Sequence, residues 1–265
     1  MKLSSHESLL FDVNCGIAHI RFNRPASLNA IDVAMAQAFH DVCKELKRMK
    51  GLRVILLSGQ GKAFMAGGDL AAFHADLTAA PATAASLIKH LHAGLVIMTE
   101  LPQPVIARLH GSVAGAGVSI ALACDLAIAA DNARFALAYS RIGASLDAGG
   151  SWSLPRIVGL RKAMELSLFS DPLDADEAHR LGLVNRVVPS AMLVAETDAW
   201  IRRLASGPTG CYGRIKRLLR ASYANHLVQQ LDAEQAAFCE CAASNDFAEG
   251  LNAFFEKRPA NFQGY

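Results

Sequence analysis

Between residues 105 and 131 an apolar strand runs into a turn of closely spaced glycines, and that turn opens directly into an apolar helix. The strand is Val105–Leu109, the turn carries Gly111, Gly115 and Gly117, the helix begins near Gly115, and Leu126–Ala130 supplies a further buried strand. A helix entered this way presents amides with no intrahelical partner, and the positive end of its dipole favours negative charge placed or developed beside them. The glycine spacing is not the G-x-G-x-x-G dinucleotide fingerprint, and no Lys followed by Ser or Thr completes a phosphate-binding loop. Taken alone, the stretch is either a plain strand-to-helix turn or a site for an anion or a developing oxyanion.

The chain around it alternates strand and helix signals. Residues 9–13 and 17–22 alternate apolar and polar positions around Asn14-Cys15-Gly16, which predicts a hairpin, and Asn23-Arg24-Pro25 ends its second strand. Asp32 is placed to cap a helix that runs to Lys50, with Phe39, Val42, Cys43, Leu46 and Met49 on one face. Residues 54–57 form a continuous apolar run of the kind covered on both faces, followed by a second glycine-rich loop, 58–70, that also enters a helix. Small residues around Pro81 predict a mobile loop over 78–85, then a helix over 86–101. Beyond Phe135 a long loop holds Tyr139, Arg141 and Asp147, followed by helices through Trp152 and over 160–169. Asp174 caps a short helix to Leu181, and 183–188 forms a last strand. From Ser190 the pattern is helical, broken at Gly207-Pro208, with amphipathic helices over 227–239 and 247–255. The order predicts an α/β fold of small units wound around sheets with helices outside. No linker composition interrupts it, so residues 1–190 read as the core and 191–265 as a helical extension of the same domain.

A chain of 265 residues with 52% hydrophobic and 19% charged content is globular, and a net charge of +2 without a Lys/Arg run excludes a nucleic-acid or membrane-surface footprint. The polar start, residues 1–6, is unlike a secretory signal, and no segment has the uncharged length of a bilayer span. Cys15, Cys43, Cys124, Cys211, Cys239 and Cys241 form no C-x-x-C pair or metal spacing, which fits free thiols in a reducing cytoplasm. The richness in apolar residues points towards an oligomer.

The two loops, Ala66-Gly67-Gly68-Asp69 and Gly115-Ala116-Gly117, each place small residues at a helix entry after a buried strand. Carried on neighbouring strands, their amides could converge on one oxygen. At this point the sequence resembles the enoyl-CoA hydratase/isomerase (crotonase) superfamily over essentially its whole length. The resemblance rests on Asn23-Arg24-Pro25-Ala26-Ser27-Leu28-Asn29-Ala30-Ile31, on the run from Gly61 to Leu70, on the stretch from Gly111 to Asp125, and on Leu154-Pro155-Arg156-Ile157-Val158-Gly159 with the segment from Ala175 to Pro189.

That resemblance implies a spiral of ββα units with a C-terminal helical trimerisation segment, a homotrimer or dimer of trimers, and an acyl-CoA thioester as substrate. Coenzyme A is then carried by the substrate rather than by a separate cofactor. It implies an oxyanion hole made by the backbone amides of Gly68 and Ala116; Ala116 stands where the family usually has glycine, a change that leaves the N–H in place. It also implies that Ala26, Leu28, Lys62, Phe64 and Ala66 lie near the coenzyme A adenine and pantetheine. Lys257 and Phe262 resemble residues that close over the ligand, often from a neighbouring subunit. For Lys62 a solvated loop position, and for Phe64 ordinary core packing, stay open as alternatives.

Hydration of a double bond conventionally takes two positioned acid–base groups. Family hydratases resemble one another in using two glutamates, and the matching positions here are Ser119 and Tyr139, so the pair is missing. Asp147, in Leu146-Asp147-Ala148-Gly149-Gly150-Ser151-Trp152, is the carboxylate in the right region. It reads either as a turn or cap residue or, by resemblance to isomerases of the phenylacetate-pathway ring-epoxide/oxepin-CoA type, as the base that moves a proton from one carbon to another. An acyl-CoA isomerase is therefore expected. An atypical hydratase, a dehalogenase resembling the 4-chlorobenzoyl-CoA enzyme with His92 in a catalytic role, and a non-catalytic acyl-CoA-binding protein are the alternatives.

Overall fold

The computed structural model describes residues 7–264; the segment 1–6, read above as unlike a secretory signal, and Tyr265 lie outside the described residues. Alternation over the first residues produces the expected hairpin. β1 (Leu9–Asn14) and β2 (Ile17–Phe22) pair antiparallel from Leu9↔Phe22 to Asn14↔Ile17, and Leu9, Phe11, Ala18, Ile20 and Phe22 are buried. Asp32 caps α1 (Val33–Arg48), its carboxylate accepting from the Met35 N–H at 2.8 Å. β3 (Val54–Gly59) follows, then α2 (Leu70–Ala75) and α3 (Ala80–Glu100).

Of residues 78–85, then, only Thr78 and Ala79 form a turn, and the rest is helix. Asp76 accepts from the N–H groups of Thr78 and Ala79, and α3 starts at Ala80 with Pro81 in its first turn, where the missing N–H costs no intrahelical bond. The compositional signal came from small residues that pack as readily in a helix as they populate a loop.

The chain continues through β4 (Val105–Leu109), β5 (Ser112–Ala114), α4 (Ala116–Ala123), β6 (Leu126–Ala130), β7 (Arg134–Ala136), α5 (Gly150–Val158), α6 (Leu160–Phe169), β8 (Leu173–Asp174), α7 (Ala175–Arg180) and β9 (Arg186–Val188). The predicted last strand is shorter than 183–188. Asn185 takes a ladder position with its side chain, accepting the Ala127 N–H through Oδ1, so only Arg186–Val188 pair with β6. Four helices complete the described chain: α8 (Leu193–Ala205), α9 (Thr209–Ala221), α10 (Leu227–Ala242) and α11 (Asn245–Glu256).

Among the described residues the strands form a six-stranded sheet, β1-β2-β3-β4-β6-β9, parallel apart from the first hairpin, and a small sheet, β5-β7-β8. The apolar run of β3 is covered on both faces, as continuous apolar strands require. Ile55 and Leu57 join the cluster with Phe39 of α1 and Leu91 of α3, whereas Val54 and Leu56 pack with Ile201 of α8. α9 is fastened beneath by a half-buried ion cluster in which Asp125 takes Lys216 at 2.6 Å and Arg220 at 2.9 Å while accepting the Val105 N–H. No helix among the described residues is long and apolar enough to cross a membrane.

The bend between β2 and α1 rests on Asn29, fully buried and at φ +58°. Its amide donates to the carbonyls of Gln60 at 2.9 Å and Ala63 at 2.8 Å, and its Oδ1 accepts the Arg24 N–H at 2.8 Å. Asn29→Ala strands these buried groups and places a Cβ-bearing residue without local hydrogen bonding in the left-handed region. Urea denaturation should register a loss of about 2–4 kcal/mol; a loss below about 0.5 kcal/mol, the usual range for a neutral surface change, would refute this role for the side chain.

Candidate active site

β3 and β4 run parallel and adjacent, with Ser58 opposite Arg108 at their C-terminal ends, so the loops leaving them start side by side. Backbone bonds keep them together: the Met65 N–H donates to Ser112 at 3.1 Å and the Ala114 N–H to Met65 at 2.8 Å. Each loop then passes through a glycine in the left-handed half of the map, Gly67 at φ +102° and Gly115 at φ +51°. These two face one another so closely that a Cβ on Gly115 would lie 3.4 Å from the Gly67 Cα, and one on Gly67 3.2 Å from the Ala114 carbonyl. Small residues are demanded here by the approach of two backbones, not by chain flexibility. The next residue in each loop is Gly68 or Ala116, and neither N–H finds an acceptor among the described residues.

The first loop is braced from outside. Ile31 donates to Gly67 at 2.8 Å and accepts from Asp69 at 2.9 Å. Asp69 caps α2 and binds Arg24 at 2.8 Å. Burial opposes the charge on Asp69, but the Arg24 guanidinium and the α2 amides outweigh it and hold the carboxyl below its ordinary range.

Ala116 opens α4, and one helical turn along it stands Ser119, fully buried. The Ser119 hydroxyl lies 3.2 Å from that of Tyr139, which donates to Asp147 Oδ1 at 2.5 Å. Burial first, and the negative charge of Asp147 second, push the Tyr139 hydroxyl well above its ordinary range, so it stays protonated and can serve as a donor. Asp147 itself sits before two residues in the left-handed region, Ala148 at φ +48° and Gly149 at φ +77°. For Ala148 that conformation is uncommon and is held by its surroundings. Its side chain is buried, and its N–H donates to His92 Nε2 on α3 at 3.0 Å. Gly150, the first residue of α5, accepts no side chain, since a Cβ there would meet the Ser119 oxygen at 2.5 Å.

The residues expected near a ligand fall into two groups. Leu28 accepts the Ala66 N–H at 3.0 Å, which places the exposed turn with Ala26 and Leu28 against the loop of Gly68, and Lys62 is exposed on the same loop. Phe64 is fully buried, edge-on to Phe22 with ring centroids 5.6 Å apart, so its side chain does the core packing that was the alternative reading. Lys257 closes α11 at φ +55°, and Phe262 lies elsewhere. The Phe262 carbonyl accepts from Arg53, which precedes β3, whereas Gly68 follows the other end of that strand. Six residues of strand span about 20 Å, so within one protomer Phe262 and Gly68 sit at opposite ends of the sheet.

A groove of about 1360 Å³ reaches Asp147 from the side of α3, α5 and α9, with Leu146, Trp152 and Tyr223 in its walls; Gly68 and Ala116 do not line it. Sequence reasoning gives Tyr139 no role beyond the place of a missing glutamate, and gives His92 one only in the dehalogenase alternative. Their contacts with the Asp147 segment depend on folding, and no local signal gives them away. No group of three His, Cys, Asp or Glu among the described residues could hold a metal ion.

Residues 12–265 match the family model described as enoyl-CoA hydratase/isomerase. A protein of Rhodobacter capsulatus named "Probable enoyl-CoA hydratase" is 37% identical over 262 residues, covering 98% of this chain and 99% of that protein. The 1,2-epoxyphenylacetyl-CoA isomerase of Escherichia coli K12 is 36% identical over 259 residues, covering 97% of this chain and 99% of that one. Among solved structures, an enoyl-CoA hydratase from Polaromonas sp. JS666 superposes with a TM-score of 0.91 at 32% identity, covering 96% of this chain and 99% of that one.

Proposed function

From the premise that this chain belongs to the enoyl-CoA hydratase/isomerase family, we propose that it is an acyl-CoA isomerase that shifts a double bond by moving one proton. The observation that carries this reading is the makeup of the hydrogen-bonded chain below α4: hydroxyls at Ser119 and Tyr139, and a single carboxylate, Asp147, at its end. A proton shuttle needs one base that becomes one acid, whereas addition of water conventionally needs a second group to activate the water.

In this reading the thioester carbonyl oxygen rests on the amides of Gly68 and Ala116. Asp147 takes a proton from the carbon next to that carbonyl, or from its vinylogous position. The electron pair moves onto the oxygen, giving an enolate whose negative charge the two amides stabilise. The carboxylic acid so formed returns the proton to the other allylic carbon, and the electrons close a double bond in the shifted position. Nothing is consumed, and Asp147 ends as it began. Ala26, Leu28, Lys62 and Ala66 would lie along the coenzyme A arm, with Phe64 supporting that wall from the core.

A homotrimer or dimer of trimers suits the placement of Phe262, whose own-chain active site lies at the other end of the sheet, with Lys257 five residues before it in the chain. Exposed Leu160, Met164 and Leu168, at helical spacing on α6, offer an apolar face for such packing.

The test is product analysis on a panel of 2-enoyl, 3-enoyl and ring-derived CoA thioesters by mass spectrometry and NMR. Isomerisation without change of mass is expected. Dominant addition of water would favour the hydratase alternative, release of halide from an aryl thioester the dehalogenase alternative, and absence of any α-proton exchange in D₂O a binding protein.

A further inference from the structure

Tyr139 hydrogen-bonds the carboxylate that the reading above makes the proton shuttle, and the direction of that bond is fixed by chemistry. An ionised carboxylate has no proton to give, so the Tyr139 O–H points at Asp147 Oδ1, 2.5 Å away. The tyrosine oxygen then accepts, and the buried Ser119 hydroxyl at 3.2 Å donates to it. Three hydroxyl and carboxyl groups thus line up in one sense, from α4 through Tyr139 to the segment before α5. Asp147 Oδ2 takes no partner among the described residues.

We propose that Tyr139 is a positioning residue for Asp147, holding Oδ1 so that the carboxylate cannot rotate and Oδ2 alone carries the proton. The proposal rests on the isomerase reading and adds to it which oxygen works and what holds the other. Both ends of the clamp are packed into the fold. Ser119 is pinned by the approach of Gly150, where a Cβ would come within 2.5 Å of its oxygen, and the peptide after Asp147 is tied through Ala148 N–H to His92. The groove that reaches Asp147 is also lined by His92 and Glu100 on α3, Arg156 on α5, Tyr223, Glu240, and the Asp125–Lys216–Arg220 cluster with Arg214 and Arg217 at α9. Of these described groups, Tyr139 is the one that touches the carboxylate.

A carboxyl that cannot turn keeps the proton it has taken over the substrate rather than showing it to water.

The experiment compares wild type with Tyr139→Phe, and with Ser119→Ala as a milder loosening of the same chain. In Tyr139→Phe kcat should fall by about tenfold or more with KM little changed, and solvent deuterium found in the product per turnover should rise. Ser119→Ala should move each in the same direction by less. Carboxyl ¹³C NMR, with Asp147 assigned through Asp147→Asn, reads the clamp without turnover: loss of the Tyr139 hydroxyl should shift the Asp147 resonance at constant pH. An unshifted resonance, or an unchanged deuterium ratio, overturns the proposal. A shifted resonance in a protein whose wild type isomerises nothing supports the clamp and overturns the isomerase reading alone.

Discussion

Asp147→Asn is expected to lower isomerisation by about 10²–10⁴-fold, the usual worth of a positioned acid–base group, while leaving affinity for a CoA thioester within about threefold. Asparagine preserves the shape of the side chain, and its amide oxygen can still accept the Tyr139 hydroxyl that now meets Oδ1 at 2.5 Å. What it cannot do is take a proton. The change therefore separates geometry from basicity: folding, the Ala148 tether to His92 and the seating of α5 on Ser119 all persist. Steady-state turnover gives the first number and calorimetric titration with a non-isomerisable acyl-CoA gives the second. Unchanged turnover would remove Asp147 from the reaction, and a parallel collapse of binding would mean that the residue holds the ligand rather than the proton.

Much of this site could be read before any coordinates because its parts obey local rules. Asp32 and Asp174 precede helices as caps and do cap them, and the glycines of both loops mark turns that no other residue makes cheaply. Apolar runs without alternation mark strands buried on two faces, and β3 is one. Other parts are set by contacts that no local pattern encodes. β5, β7 and β8 are two or three residues long, too short for periodicity, and exist because the Gly111 and Phe135 regions are brought together by the larger sheet. His92 meets Ala148 across 56 positions of sequence, through packing of α3 beside α5's entry. Tyr139 reaches Asp147 over only eight residues, yet it does so because the intervening chain turns through Ser140–Ile142 and is pinned to Ser170 by Arg141 at 2.6 Å. In the sequence Tyr139 registered as a missing glutamate; in the fold its hydroxyl completes the site. The small-residue segment 78–85 failed for the opposite reason: its alanines favour a helix and its proline is admissible in a first turn, so the chain enters α3 at Ala80 once Asp76 has tied the N–H groups of Thr78 and Ala79.

The stretch that opens α4 allows a sharper test of the oxyanion reading than most backbone donors do. A backbone N–H is ordinarily inseparable from the fold, because deleting it also deletes a hydrogen bond of a helix or sheet. Ala116 is an exception: it is the first residue of α4, its N–H has no acceptor among the described residues, and proline is well tolerated at that position. Ala116→Pro thus removes the donor and puts a ring carbon where the hydrogen pointed, while Ala116→Gly keeps the donor and removes only a methyl group. The proline variant should lose about 10²–10³-fold in kcat, corresponding to about 2.7–4 kcal/mol of transition-state stabilisation per oxyanion donor, with a circular dichroism spectrum like that of wild type. The glycine variant should stay within about threefold of wild type, because the amide is retained. Equal losses in both would assign the effect to packing at a site only 2% exposed, and no loss in the proline variant would leave Gly68 without the partner that the touching glycines, Gly67 and Gly115, bring beside it.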